Sequence, residues 1–247
     1  MPRYILLHET ASTNTYLKSV ASALPSGTVV YTHNQTAGRG QRGNSWEAEP
    51  GKNITMSMLI KNPAVAVAQQ FYISEAVAVA IARVLNRYVP GFRVKWPNDI
   101  YHRDRKECGI LIEHVLAGGG IAHTVIGAGI NINQTEFLSD APNPVSLAQL
   151  TGNQHDVEAV MREVCEEIER LCQFTPQSCQ QLHEEFLSML YRGDGKDYTF
   201  ALPDGTQFQA AIHNVLPDGT LQLRTPDGTM TSYLFKEVKH VIGNNTL

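Results

Sequence analysis

The stretch Lys95 to His114, KWPNDIYHRDRKECGILIEH, constrains this chain more than any other, because both of its ends read as strand. Phe92, Val94 and Trp96 alternate with polar residues, the period of a strand with one buried face. Pro97 lacks an N–H and biases its predecessor away from helix, so that strand stops there. A charged run follows (Asp99, Arg103, Asp104, Arg105, Lys106, Glu107), and Gly109-Ile-Leu-Ile resumes an apolar strand. The pattern predicts strand, charged loop, strand. Two readings of the loop are open: a solvated hairpin, since exposed turns commonly carry charge, or a ligand site whose ends a sheet holds rigid. Residue order favours the second. Asn98 and Asp99 stand at a fixed strand exit, Lys106 lies on the returning arm, and Gly109 leaves the backbone open to close approach. One amide, one carboxylate, one ammonium and one bare backbone in so short a span suit an anionic, metal-bound nucleotide.

With 247 residues, 43% of them hydrophobic, the chain can bury a full core and is long enough for one large domain and a small one. Its net charge of −4 and lack of any long block of like charge argue against nucleic acid as a partner. Basic residues nevertheless gather at Arg39 and Arg42, and again at Arg93, Lys95, Arg103, Arg105 and Lys106. Such local concentration in an acidic chain suits a small anion. The apolar run at the N-terminus is too short for a signal peptide, and no run reaches the roughly 18 apolar residues of a membrane span, so a cytoplasmic protein without membrane contact is expected. Cys165 and Cys172 fall two helical turns apart, too far for a disulfide; together with Cys108 and Cys179 they read as reduced, mostly buried side chains.

Along the chain, Tyr4-Ile-Leu-Leu reads as a strand. Ser12-Thr13-Asn14 then serves either as the cap of a helix carrying Tyr16, Leu17, Val20 and Leu24, or as a polar head-group site at a helix start. After the strand Thr28 to Thr32, Gly38-Arg-Gly40-Gln-Arg-Gly43 matches a G-x-G-x-x-G dinucleotide fingerprint but fails its structural condition, since turn formers and Pro50 stand where a helix must begin. It is either an ordinary connector or an Arg-bearing loop that closes on a ligand, with Trp46 at its end to stack on a ring. Ile54, Met56, Met58 and Ile60 share one face of a strand and read as core filling. A sheet-covering helix is expected over 69–89 and further helices over 144–150, 156–174 and after Pro176. Gly127-Ala-Gly129-Ile-Asn131 is either a core strand or a floor for a flat ligand, with Asn131 at an adenine edge. His114 and His123 lack partners in the pattern and are read as structural or exposed. From Lys196 onward, three copies of Pro-Asp-Gly-Thr (at Pro203, Pro217 and Pro226) separate short alternating runs, which predicts a meander of about five strands.

Four segments occur in order: Ser12-Thr13-Asn14; Gln35-x-x-Gly38-Arg39-Gly40 with Trp46 six residues on; KWPND followed by Arg105-Lys106-x-x-Gly109-Ile-Leu-x-Glu113; and Gly127-Ala-Gly129-Ile-Asn131. Together they resemble the signature of biotin protein ligases, over roughly Tyr4 to Ile242. The resemblance implies an α+β fold in which a mixed sheet covered by helices (a class II synthetase-like catalytic domain, residues 1–191) precedes a small SH3-like β-barrel (residues 192–247). It implies an ATP-dependent ligase that activates biotin as biotinyl-5′-AMP and transfers it to a lysine of a biotin carboxyl carrier protein. The alternatives are a lipoate or octanoate ligase, or a biotin-sensing protein without catalysis. By the same resemblance Lys106 and Arg39 carry the catalysis. Ser12, Thr13, Asn14, Gln35, Arg39, Gly40, Gln41, Lys106 and Gly109 hold biotin, and Trp46, Lys95, Asn98, Asp99 and Asn131 hold the nucleotide. Mg²⁺ is held mainly by the substrate phosphates, with Asp99 as a further ligand. Many members carry Arg where this chain has Gln41, which shifts weight onto Arg39. A monomer or weak homodimer is expected, with no DNA-reading domain ahead of Tyr4.

Overall fold

The computed structural model describes residues 2–41, 44–138 and 143–243. Arg42 and Gly43 of the glycine-rich loop therefore lie outside the described residues.

Strands β1 (Arg3–Thr10), β2 (Thr28–Gln35), β3 (Ile54–Lys61), β4 (Phe92–Lys95), β5 (Asp99–His102), β6 (Arg105–Ala117) and β7 (Gly120–Ile130) form one mixed sheet in the order β1-β2-β3-β7-β6-β5-β4. Helix α1 (Thr13–Val20) carries the chain from β1 to a parallel β2, and the other neighbours in this sheet pair antiparallel. The sheet has two different faces. On one lie α2 (Phe71–Tyr88), the short α3 (Leu147–Thr151), α4 (Val157–Leu171) and α5 (Pro176–Ser188). Helix α2 is apolar nearly all round, with Ala76 to Ala82 and Val84 buried, because it is sandwiched between the sheet and α4 and α5. The other face is covered by α1 through Leu17, Val30, Leu59 and Val125, and this cover is partial. The site lies on that less covered face.

The expected charged loop is mostly strand. Asp99–His102 pairs with both β4 and β6, because Ile100 and Tyr101 are buried and need a place in the sheet. The turn shrinks to Arg103 and Asp104, with Arg103 at φ 53°. Opposite β5, Ile100 pairs with Cys108 but Tyr101 with Lys106, so Glu107 is an extra, bulged residue. Because of that bulge, Lys106 and Gly109, three positions apart, both reach the site face.

The three Pro-Asp-Gly-Thr copies are hairpin turns between β8 (Tyr198–Ala201), β9 (Gln207–Val215), β10 (Leu221–Arg224) and β11 (Met230–Tyr233); β12 (Lys239–His240) completes a five-stranded antiparallel sheet ordered β11-β10-β9-β8-β12. Each turn is built alike: the Asp oxygen accepts from the following Thr N–H, for Asp204 from Thr206 at 2.8 Å, for Asp218 from Thr220 at 2.9 Å and for Asp227 from Thr229 at 3.0 Å. This sheet is no loose appendage. Phe235 packs on both Phe71 and Trp96, and the Trp96 Nε1–H donates to Gly219 O at 2.9 Å, so one apolar core runs from α2 and α5 into β8, β9 and β10.

Candidate functional site

A cavity of about 720 Å³ opens on the site face, between α1, the 38–46 segment and strands β3, β6 and β7. Its inner end is polar and uncharged. Ser12 caps α1 by accepting from the Thr15 N–H, which frees Thr13 and Asn14 to face inward. Gln35, the last residue of β2, accepts from the Thr13 N–H at 3.0 Å. Ser57 on β3, fully buried, places its hydroxyl 2.7 Å from Thr13 Oγ1 and 2.5 Å from Asn14 Oδ1. The Ser12-Thr13-Asn14 segment therefore caps a helix and also lines the cavity.

The middle of the cavity is charged and aromatic. Lys106 Nζ lies 2.7 Å from Asp99 Oδ1 and 5.7 Å from the centre of a Trp46 ring. The Trp46 indole lies against Gly109 and Gly129. A Cβ at Gly129 would fall 2.3 Å from the indole Nε1, and one at Gly109 2.9 Å from its Cζ3, so this floor admits only glycine under that ring. Trp46 Nε1 is buried against Gly129 and has no hydrogen-bond partner among the described residues. Arg39 donates through Nη2 to Thr15 Oγ1 at 3.0 Å and lies 3.5 Å from Glu113 Oε2, so it stands at the rim beside α1. Arg39 and Ser45 form an antiparallel bridge, Gly40 N donates to Asn44 O and Trp46 N to Gly38 O.

The expected residues are placed as follows. Ser12, Thr13, Asn14, Gln35, Arg39, Gly40, Gln41, Trp46, Asn98, Asp99, Lys106, Gly109 and Asn131 all line this one cavity. Lys95 does not: its ammonium lies over the Tyr101 ring at 5.1 Å, and burial pushes its pKa below the usual lysine value against the opposing pull of Asp99. Asn131 and Asn98 are also braces. Asn131 Nδ2 donates to Val145 O at 3.1 Å, and Asn98 Nδ2 to Ile110 O at 2.7 Å, so each amide has its donor committed to backbone. Met56, read as core filling, is buried and also contributes to the cavity floor. Residue patterns alone missed Ser57, Glu113 as a partner of Asn14 and Arg39, and Lys236, which reaches the cavity from the turn between β11 and β12. Ser57 left one trace, a second hydroxyl beside Thr55 on the face of β3 opposite Met56 and Met58.

A polar, uncharged end and a cation-bearing middle in one cavity invite comparison with known proteins. The model of the biotin/lipoate A/B protein ligase family matches residues 6–131, just over half of the chain. The chain belongs to that family. Within it, the chain is similar to the bifunctional ligase/repressor BirA of Escherichia coli strain K12 (42% identical over 125 residues, 49% of this chain and 38% of that protein). It is also similar to the biotin–[acetyl-CoA-carboxylase] ligase of Paracoccus denitrificans (31% over 162 residues, 62% of this chain and 66% of that protein). The matches to the BirA proteins of Salmonella typhimurium and E. coli thus span about two fifths of those relatives' own length. Among solved structures, a biotin protein ligase from Aquifex aeolicus in complex with biotin and ATP superposes with a TM-score of 0.80 at 22% identity, covering 98% of this chain and 100% of that one. At that identity the likeness speaks for the fold: the α+β architecture expected of the family, a helix-covered mixed sheet followed by a small antiparallel β unit, is the one observed.

Proposed function

We propose that the chain is a biotin protein ligase, which activates biotin with ATP as biotinyl-5′-adenylate and transfers it to a lysine of a biotin carboxyl carrier protein or domain. The observation that carries this reading is the inner end of the cavity, lined by Thr13, Asn14 and Gln35 and backed by the buried Ser57 hydroxyl, with no charge among the four, followed by the cations Lys106 and Arg39. A ureido ring pairs with such hydroxyls and amides, and the carboxylate at the far end of biotin's aliphatic tail then meets the cations. The head of lipoate has no hydrogen-bonding group, and each buried polar atom it left unpaired would cost about 1–3 kcal/mol. This favours biotin over lipoate or octanoate, in line with relatives whose names are those of biotin ligases.

In the first step a biotin carboxylate oxygen attacks the α-phosphorus of ATP, the bond to the bridging oxygen breaks, and pyrophosphate leaves with the electron pair. Two anions have to meet, so Lys106 and Arg39 offset charge on the reacting groups while the cavity keeps them in line. Trp46, Asn98, Asp99 and Asn131 hold the nucleotide, and Lys236 adds a cation at the rim. In the second step the neutral amine of the acceptor lysine attacks the acyl carbon, AMP leaves with the electrons of the anhydride C–O bond, and the amine's surplus proton passes to solvent. No group of three His, Cys, Asp or Glu side chains gathers among the described residues, and Asp99 is a single carboxylate beside Lys106. That donor set fits a magnesium ion brought in on the triphosphate, with Asp99 as a side ligand; when bound, it would offset phosphate charge.

We place the catalytic unit at residues 1–191 and the C-terminal unit at 192–247, and the working form as a cytoplasmic monomer or weak homodimer. The four cysteines are free and no described helix is long and apolar enough to cross a membrane, both in keeping with that location. Mass spectrometry of an apo biotin carrier domain incubated with the protein, Mg·ATP and either biotin or lipoate tests the function. A mass gain of one biotin, absent with lipoate, is expected; lipoate alone being attached would move the activity to the other branch of the family.

A further inference from the structure

From the contacts around Glu113 on β6 we infer that it is a positioning residue of the biotin site: it fixes which way the Asn14 amide faces, and it holds Arg39 at the rim until a substrate anion takes the guanidinium over. The inference rests on the reading of the cavity as a biotin site.

Three side chains converge on this carboxylate. Asn14 Nδ2 donates to Oε2 at 2.9 Å, Lys18 Nζ donates to Oε1 at 2.8 Å, and Arg39 Nη2 lies 3.5 Å from Oε2. Burial pushes the Glu113 carboxyl upward, but Lys18, Asn14 and Arg39 together outweigh it and hold the group below the usual carboxylate range, so it is charged at neutral pH.

The amide of Asn14 donates a second time, to Leu111 O at 3.2 Å. Its NH₂ is thus committed to β6, and its oxygen must face the opposite way, toward Ser57 Oγ at 2.5 Å. Oxygen and nitrogen of a side-chain amide are nearly the same size, so the flipped form fits the same space, and hydrogen-bond partners alone decide between the two. A cyclic urea brings two N–H donors and needs an acceptor at this end of the cavity. Through Glu113, Asn14 offers its oxygen there; a flipped Asn14 would offer a donor instead.

Arg39 is held differently. Its contact to Glu113 is longer than that of Lys18, and both Arg39 and Lys18 are partly exposed, so the ion pair is weak and exchangeable. When Arg39 turns to a carboxylate or phosphate, Lys18 stays on Glu113, and no half-buried charge is left without a counter-charge.

Two substitutions separate the two roles. Glu113→Gln keeps an oxygen that accepts from Asn14 but removes the charge that holds Arg39, whereas Glu113→Leu removes both. Calorimetric binding of biotin and of biotin methyl ester, which has the same head group and no carboxylate, reads them apart, with melting temperatures as the control for folding. Glu113→Gln is expected to bind the ester like the unsubstituted protein and biotin about threefold more tightly, as a released surface ion pair allows. Glu113→Leu is expected to lose about tenfold or more for both ligands, the scale of a lost hydrogen bond at a buried group. If Glu113→Gln weakens both ligands as much as Glu113→Leu, or if Glu113→Leu leaves the ester affinity unchanged, the inference is wrong while biotin binding by the unsubstituted protein still stands. Should the unsubstituted protein bind neither ligand, the proposed function fails and this inference fails with it.

Discussion

Lys106 and Asp99 face each other across β6 and β5, with the ammonium 2.7 Å from Asp99 Oδ1, and the Glu107 bulge beside them turns that ammonium toward the cavity. Asp99 Oδ1 is buried, and the Lys106 ammonium lies against it as its counter-charge. An incoming phosphate therefore competes for an ammonium already ordered in the site.

Lys106→Ala is expected to lower adenylate formation about a hundredfold or more, the usual effect of removing one group that offsets charge in a transition state. The melting temperature should shift by no more than about 2–4 °C, the change that about 1 kcal/mol produces at this chain length. Pyrophosphate release and a thermal scan on the same preparation check this. A loss of stability large enough to explain the lost activity would reduce Lys106 to a structural role.

Gly129→Ala places a methyl group where the Trp46 indole now lies, 2.3 Å from its Nε1. The ring must leave the floor, and with it goes the aromatic surface proposed for the nucleotide. Stacking on an aromatic side chain contributes about 1–3 kcal/mol, so KM for ATP should rise roughly tenfold. The chain has two tryptophans, and Trp96 is buried in the core. A red shift in tryptophan emission would thus report Trp46, and an unchanged spectrum would mean that the indole had not moved.

Gly219 sits at φ 92° in the second Pro-Asp-Gly-Thr turn, and a Cβ there would lie 2.7 Å from the Phe71 ring. Gly219→Ala strains the backbone and pushes the C-terminal sheet away from α2. A loss of about 2 kcal/mol or more is expected in urea unfolding. Gly228→Ala, in the third copy at φ 89° with nothing within 4 Å, carries the backbone strain alone and should cost less.

Glu107 is fully buried, and neither carboxyl oxygen has a hydrogen-bond partner among the described residues. Burial pushes its pKa well above the ordinary 4.5, only partly opposed by Arg105. Below that ordinary value both folded and unfolded chains hold the proton and the group has no effect. Above it the unfolded chain ionises first, so stability falls as pH rises, by about 1.4 kcal/mol per unit until the folded value is passed. Glu107→Gln removes this slope. Urea unfolding from acid to neutral pH should show the variant gaining on the parent chain as pH rises; parallel curves would sink the assignment.

Much of this architecture could be read from residue order, because its causes are local. The three Pro-Asp-Gly-Thr turns need only an Asp oxygen two residues before an N–H and a glycine free to take positive φ, and they marked the C-terminal hairpins. Alternation marked β3 and the helical period marked α2. The motif residues Ser12 to Asn14, Gln35, Arg39, Lys106 and Gly109 proved to share one cavity. What tertiary structure alone decided concerns direction and partners. Asp99–His102 became a strand because neighbours on both sides offered pairing, which charge density in the sequence concealed. Lys95 turned onto Tyr101 rather than into the cavity, since side-chain direction depends on which face the sheet presents. Lys236 reached the site because Phe71 and Trp96 hold Phe235, and the turn with it, against α2 and the end of β4. Glu113 gained its role because a strand nearly a hundred residues away in sequence from Asn14 folds beside it. Local propensity acts over a few residues, whereas these placements are set by burial and hydrogen bonding between segments far apart in the chain.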